Sequence, residues 1–442
     1  MNELFEPKSI ALIGASENKE KVGGVLFENL LKSNVQLYPV NPNHKKIAGK
    51  ECYASVLDIK NKTDLAIIVV KAEIVKNVLE DCGKKGIKNV VIISAGFSEA
   101  GNKQGEIELK KITEKYKINV LGPNVLGFLN NNKKINASFF DGFPKNGKIG
   151  VISQSGAIGV AILDYSIKNN LGLSYFISLG NMLNIDFNKS LEYIIQDKQT
   201  EIICLYIESL KENSGKEFIE LCKKAKQTGK KIIAIKAGKT NAGQKAAMSH
   251  TAALASDYHI YSGIFNQAGI IEAESLEEML EIAETLELAD GKKMGGNKAC
   301  IITNAGGLGV LCSDACEENK IQVVEIPSQI KEKLSNILPG GWSKNNPVDI
   351  IGDALADRYQ KTVDILDKEN FFDFFIILLT PQKMTQPLET AKILTKIKKP
   401  VVTSFIGGNK ITEAEKFLKQ NSIKNFSDVS RLGKVLGKIL GD

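Results

Sequence analysis

Arginine is almost missing from this chain of 442 residues: of its 58 basic residues only Arg358 and Arg431 are arginines. A phosphate held anywhere ahead of Arg358 must therefore rely on backbone amides, hydroxyls and lysines, because no guanidinium fork is available there. Histidine is scarcer than chance would give, with only His44, His250 and His259. The seven cysteines lack paired metal spacing and sit in apolar or helical patterns, so buried free thiols are expected, and no metal site. Long apolar runs are absent too. The densest, "FFDFFIILL" (371–379), is broken by Asp373 and far too short for a membrane span, so it reads as a buried strand. No basic segment followed by an apolar stretch opens the chain, and a cytoplasmic location is expected. The net charge of +7 comes from scattered lysines, with no basic face interleaved with aromatics, which argues against nucleic-acid binding.

What is present is ordinary globular material, 43% hydrophobic and 25% charged, enough for roughly three domains at about 150 residues each. Strand-like apolar runs alternate with amphipathic stretches almost throughout, the pattern of doubly wound parallel sheets. In the first part, "SIALIGA", "VQLYPV", "LAIIVV", "NVVIIS" and "INVLG" read as strands, with helices such as 22–32 and 72–85 between them. Two polar, glycine-bearing segments, "DGFPKNGK" (141–148) and "DGKKMGGNK" (290–298), divide the chain into 1–143, 144–290 and 297–442.

The second and third parts begin alike. "SQSGAIG" (Ser153 to Gly159) and "TNAGGLG" (Thr303 to Gly309) each follow a strand and open onto a helix. Glycines at such a turn let a ligand approach the backbone, and the free amides with the helix dipole favour an anion. They serve equally well to pack strand against helix, and either use fits one turn alone. At the start of the chain, "ALIGASENKEKVGG" is a poor dinucleotide fingerprint. The second strand ends in Asn41 and Pro42 where a ribose-binding acid would stand, which argues against a nicotinamide oxidoreductase. His250 lies in "AAMSHTAALA" (246–255), an uncharged stretch of small residues read as a loop; His259, in a helical pattern, reads as a packing residue.

In chain order, "SIALIGAS", "YPVNP", "SAGFSE", "GPNVLG", "ISQSGA", "SLGN", "KAGKTNAGQKAAMSHTAALA", "TNAGGLG" and "NPVDIIGDA" give the sequence a close likeness to a known family. The chain resembles the alpha subunit of ADP-forming acyl-CoA synthetases of the acetyl-CoA synthetase type, relatives of succinyl-CoA synthetase, over essentially its full length. The resemblance implies a Rossmann-like CoA-binding domain followed by two flavodoxin-like CoA-ligase domains, the second domain carrying a histidine that is phosphorylated in turnover. His250 would be that carrier, and Glu208, after the strand "EIICLYIE", would orient it. Phosphate would be held by Ser153, Gln154, Ser155 and Gly156 at one turn and by Asn304, Ala305, Gly306 and Gly307 at the other. CoA, as substrate, would lie against Gly14, Ala15, Ser16, Asn41, Pro42, Lys45, Lys46, Val70, Ser94, Ala95, Gly96 and Asn124.

No segment corresponds to an ATP-grasp module, so a separate beta subunit is implied, in an α2β2 assembly, with Mg2+ entering with ADP or ATP mainly on that partner. The sequence departs from the family at Val125, where members often have cysteine, and at "LASD", which lacks a usual glycine. A non-catalytic CoA-binding regulatory protein of the same fold is the alternative. The acyl group is left open.

Overall fold

The computed structural model describes residues 1–251, 258–288 and 295–441, with residues 247–251 by backbone alone. The five strands read at the start of the chain form as β1 (Ser9–Ile13), β2 (Gln36–Val40), β3 (Leu65–Ile68), β4 (Asn89–Ile92) and β5 (Asn119–Leu121). They make one parallel sheet in the order β2-β1-β3-β4-β5. The chain runs out from β1 to β2 and crosses back to β3, so the order reverses at the β1/β3 boundary, where open sheets of this kind have their ligand crevice. Strands covered on both faces need continuous apolar runs, and every residue of β1, β3 and β4 is buried. Helix α1 (Val22–Leu31) follows the first turn. It comes close because Gly23 and Gly24 carry no Cβ: one built at Gly23 would lie 2.1 Å from the Gly14 carbonyl oxygen.

The second sheet draws strands from both sides of the 141–148 segment. β6 (Gly127–Asn130) and β7 (Ile135–Ser138), both inside 1–143, form an antiparallel pair whose inner strand bonds to β9 (Leu173–Ser178). With β8 (Asn146–Ser153), β10 (Ile202–Ile207), β11 (Lys231–Lys236) and β12 (Ile271–Glu272) the order is β12-β11-β10-β8-β9-β6-β7. The strand pairing thus changes sheets between 121 and 127, and the polar 141–148 segment is a connection inside the second sheet. Such short strands carry no local sign of the edge they will join.

Residues 1–279 form one compact unit because the first two sheets share a core. Phe5, from a short N-terminal helix, packs edge-on to Phe128 at 5.3 Å and against Tyr193 at 4.8 Å. Buried Asn29 and Asn130 donate across the same junction to the carbonyls of Ser138, Phe140 and Phe5. Within this unit α2 (Gly156–Asn169), α3 (Asn241–Thr251) and α4 (Tyr258–Ala268) flank the second sheet's strands in sequence.

The second unit, residues 280–442, holds the third sheet. β13 (Lys298–Thr303) is central, with β14 (Gln322–Val323), β15 (Val348–Asp349), β16 (Phe374–Leu379) and β17 (Val401–Phe405), in the order β14-β13-β16-β17 and β15 beside β13. The "FFDFFIILL" run is β16, all six of its residues buried. Helix α5 (Gly306–Glu318) follows β13. The boundary at 290 falls outside the described residues. All seven cysteines are free and buried. Among the described residues no helix is long and apolar enough to cross a membrane, and no cluster of potential metal ligands occurs.

Candidate active site

At the carboxyl edge of the first sheet the expected CoA residues gather, and several are tied to one another. Gly14 turns with φ 92° and donates its amide to the Val40 carbonyl; a Cβ there would sit 2.1 Å from the Val69 oxygen. Asn41 bridges strands, its amide donating to the Ala15 carbonyl while its oxygen accepts from Asn43 N–H. Ser94 both donates to the Val70 carbonyl at 2.5 Å and accepts the Val70 amide at 3.2 Å. Asn124, at φ 63°, donates its amide to the Ser94 carbonyl. Ser16, Val70 and Gly96 are partly open, while Pro42, Lys45, Lys46 and Ala95 are exposed. Neither lysine makes an ion pair among the described residues. The Asn41 and Ser94 side chains are thus turned onto backbone partners, and the two lysines are exposed at this edge.

The "SLGN" segment locks this edge to the second sheet. Gly180 approaches the 123–124 turn so closely that a Cβ would lie 2.3 Å from the Pro123 oxygen. Asn181 then donates to Glu99 Oε2 at 2.6 Å, with Ser98 Oγ and Glu106 Oε2 at 3.1 Å, while its oxygen faces Asn124 Nδ2 at 3.4 Å. Burial pushes the Glu99 carboxyl up, but hydrogen bonds from Asn181 and from the amides of Gly96 and Phe97 outweigh it and hold Glu99 below the usual carboxylate range. The sequence motif was visible; the role of Asn181 was not, since its partners lie some eighty positions away.

Helix α3 runs alongside the Ser98–Ala100 turn. The histidine segment therefore opens as a helix through Thr251, where a loop was expected; small residues such as Ala246 and Ala247 are strong helix formers. The side chain of His250 lies outside the described residues. His259 is exposed on α4, its ring 6.0 Å from that of Tyr258, so it is not a packing residue.

Glu208 directly follows β10 and is half-buried. Its backbone is fixed by Gln154: the side-chain oxygen accepts the amides of Glu208 and Ser209 at 3.0 and 2.9 Å, and Nε2 donates to Ser209 Oγ. Ser153 donates to the Ser155 carbonyl, and Ser155 Oγ accepts the Ile158 amide as the N-cap of α2. These three side chains, expected on phosphate, make hydrogen bonds that shape the turn; the Gly156 and Ala157 amides remain as donors at the helix end.

The third sheet repeats this construction. Thr303 donates to the Ala305 carbonyl and accepts its amide, and Asn304 exchanges two 2.9 Å hydrogen bonds with the backbone of Thr380. Asn304, 1% exposed, thus ties this turn to the end of the neighbouring strand. Ala305 provides no side-chain cap, leaving the amides of Gly306, Gly307 and Leu308 without helical partners. Asp349 stands on one flank, where a Cβ on Gly306 would lie 2.8 Å from its carboxylate; Gly307 is open.

Three described families match in the order of the sheets: a CoA binding domain over 8–131, a succinyl-CoA ligase like flavodoxin domain over 146–286 and a Ligase-CoA domain over 299–438. The alpha subunit of acetate–CoA ligase (ADP-forming) II from Pyrococcus furiosus is 38% identical over 437 residues, covering 96% of this chain and 94% of the relative. The chain belongs to the ADP-forming acetate–CoA ligase family. Within that family, the enzyme of Methanocaldococcus jannaschii is 43% identical over 94% of this chain, but the chain spans only 60% of its length, and 63% of an Archaeoglobus fulgidus member. The solved acetyl-coenzyme A synthetase 1 of Ca. Korarchaeum cryptofilum, in complex with phosphate and ADP, superposes with a TM-score of 0.93 at 33% identity, covering 99% of this chain and 96% of that one.

Proposed function

We propose that this chain is the alpha-type part of an ADP-forming acyl-CoA synthetase, an acid–thiol ligase that interconverts acyl-CoA, ADP and phosphate with an organic acid, CoA and ATP. One observation carries the reading: the helix bearing His250 runs beside the Ser98–Ala100 turn at the edge where CoA is expected. Phosphate attacks the thioester carbonyl and releases CoA, giving an acyl phosphate. A neutral imidazole nitrogen of His250 then takes the phosphoryl group, the carboxylate leaves, and phosphohistidine passes the group to ADP. Glu208 accepts the N–H of the other ring nitrogen and so fixes which nitrogen attacks. The helix end after Ser155 offers amides and a dipole to a phosphoryl dianion, about 0.3 to 2 kcal/mol, and the helix end after Ala305 offers a phosphate site of the same kind within its own unit. CoA lies on Gly14 to Ser16, Asn41, Pro42, Lys45, Lys46, Val70, Ser94 to Gly96 and Asn124. The nucleotide, with Mg2+, belongs to a beta subunit carrying an ATP-grasp domain, in an α2β2 complex located in the cytoplasm.

The test is intact mass spectrometry of the full chain, alone and with that subunit, after incubation with acetyl-CoA and phosphate. A phosphoryl adduct that is lost in acid and absent from His250→Ala is expected. A folded wild-type chain that is never phosphorylated, with acetyl-CoA and phosphate or with ATP, would overturn the reading in favour of a regulatory CoA-binding protein.

A further inference from the structure

Residues 132–145 fall between the matched CoA binding and flavodoxin domains, and the backbone that leads from β7 to β8 is held there by asparagines. Asn29 donates to the Ser138 and Phe140 carbonyls, Asn136 to those of Phe140 and Gly142, and Asn131 to those of Pro144 and Lys145. All three asparagines are buried. The segment so pinned forms one wall of a cavity of about 550 Å³, closed on its other sides by the end of α1 and by the β6–β7 hairpin. That volume is in the range of small-molecule sites.

Three kinds of group line it. Phe143 presents a large apolar ring, 43% exposed, beside Pro144. Lys134, Lys145 and Asp141 are exposed at the same cavity, and none of them makes an ion pair among the described residues. Charges of both signs thus stand on one rim without neutralising each other, whereas the remaining cation, Lys32, is engaged by Glu28 at 3.3 Å. The third kind is a buried acceptor. Asn131 directs Nδ2 at three carbonyls, that of Leu173 included, which fixes the orientation of its amide and leaves Oδ1 with no hydrogen-bond donor. A buried acceptor in that condition is unfavourable until a donor reaches it.

We infer that this cavity is a binding site for an apolar α-amino acid. Lys134 and Lys145 hold its carboxylate, Asp141 and the Asn131 oxygen its ammonium, and Phe143 with Pro144 its side chain. A simple anion would be opposed by Asp141, and a neutral hydrocarbon would leave all three charges unanswered. The site is separate from the reacting groups: Asn146 opens β8 and Ser153 closes it, about 23 Å away at some 3.3 Å per residue. The ligand bound here is therefore not the acid that reacts.

The experiment is calorimetric titration of the full chain, alone and with its beta subunit, with L-phenylalanine and L-leucine. It is set against 3-phenylpropionate, which lacks the ammonium, and phenethylamine, which lacks the carboxylate. Saturable binding of an amino acid is expected, with each analogue weaker by about tenfold or more, the worth of one charge-assisted contact. Lys134→Glu combined with Lys145→Glu should abolish binding. Asp141→Asn should weaken the amino acids about tenfold and leave 3-phenylpropionate unchanged. All three positions are exposed, so the melting temperature without ligand should match wild type. Absence of binding to wild type at millimolar amino acid overturns the inference, as does equal affinity for the two analogues or binding that survives the variants. Tighter binding of adenosine monophosphate, lost in the lysine variant, overturns it in favour of a nucleotide site; loss of binding on adding the beta subunit overturns it in favour of a subunit contact.

Discussion

The turns after β8 and β13 are built to one plan and finished differently. In each, a hydroxyl closes the turn on the carbonyl two residues on, and an amide side chain reaches across to pin the end of the neighbouring strand: Gln154 to Glu208 and Ser209, Asn304 to Thr380. The residues that follow diverge. Ser155 caps α2, whereas Ala305 leaves α5 uncapped; Glu208 and Lys236 crown one sheet, Thr380 and Phe405 the other. The shared part holds each turn to its neighbouring strand; the divergent part is where the two sheets differ in free amides and in charge.

Charge placed at the two helix ends is the harshest test of this difference. Gly307→Asp and Ala157→Asp put a carboxylate at exposed first-turn positions, where the helix dipole favours it by about 0.3 to 1 kcal/mol. Stability should hold or rise slightly in both by urea titration. The affinity of each turn for inorganic phosphate, read by titration, should nevertheless fall, roughly 100-fold for Gly307→Asp, because the new charge opposes the dianion by on the order of 3 kcal/mol. The effect should be smaller for Ala157→Asp, where fewer amides are free; equal losses would erase the distinction between the turns.

The amide ties should come next. Gln154→Ala and Asn304→Ala each leave buried backbone groups unpaired, and each should cost about 1 to 3 kcal/mol in denaturant unfolding. Only Gln154→Ala should also slow phosphorylation beyond its loss of stability, because it frees the backbone of Glu208. A matching slowdown in Asn304→Ala would mean that Asn304 contacts phosphate after all.

Exchanging the caps gives the mildest change. Ser155→Ala should lose about 1 kcal/mol and Ala305→Ser gain a similar amount by thermal melting. Since a cap and an anion compete for the same amides, phosphate affinity should move opposite to stability in both; a parallel shift would place phosphate elsewhere.

Much of this was legible in the sequence. Continuous apolar runs such as "SIALI" and "FFIILL" announced strands buried on both faces, and the repeated glycine turns announced the strand-to-helix junctions. The residues that the motif order assigns to CoA gather at the carboxyl edge of the first sheet. Local chemistry here has two uses: Ser153, Ser155 and Asn304 carry the hydrogen-bonding groups of a phosphate site, and the turns draw on those same groups. The role of Asn181 is not legible in the sequence because its partner Glu99 lies far along the chain.

By itself the sequence determined the alternation of strand and helix, the succession of doubly wound sheets and the kind of chemistry, because periodicity, glycine placement and scarce residue types are local properties. Tertiary structure alone decided which sheet the 127–138 hairpin joins, which polar side chains hold the turns, and that Lys236 is buried opposite Ile207. Those outcomes depend on strand order and register, which bring together residues that no local pattern connects.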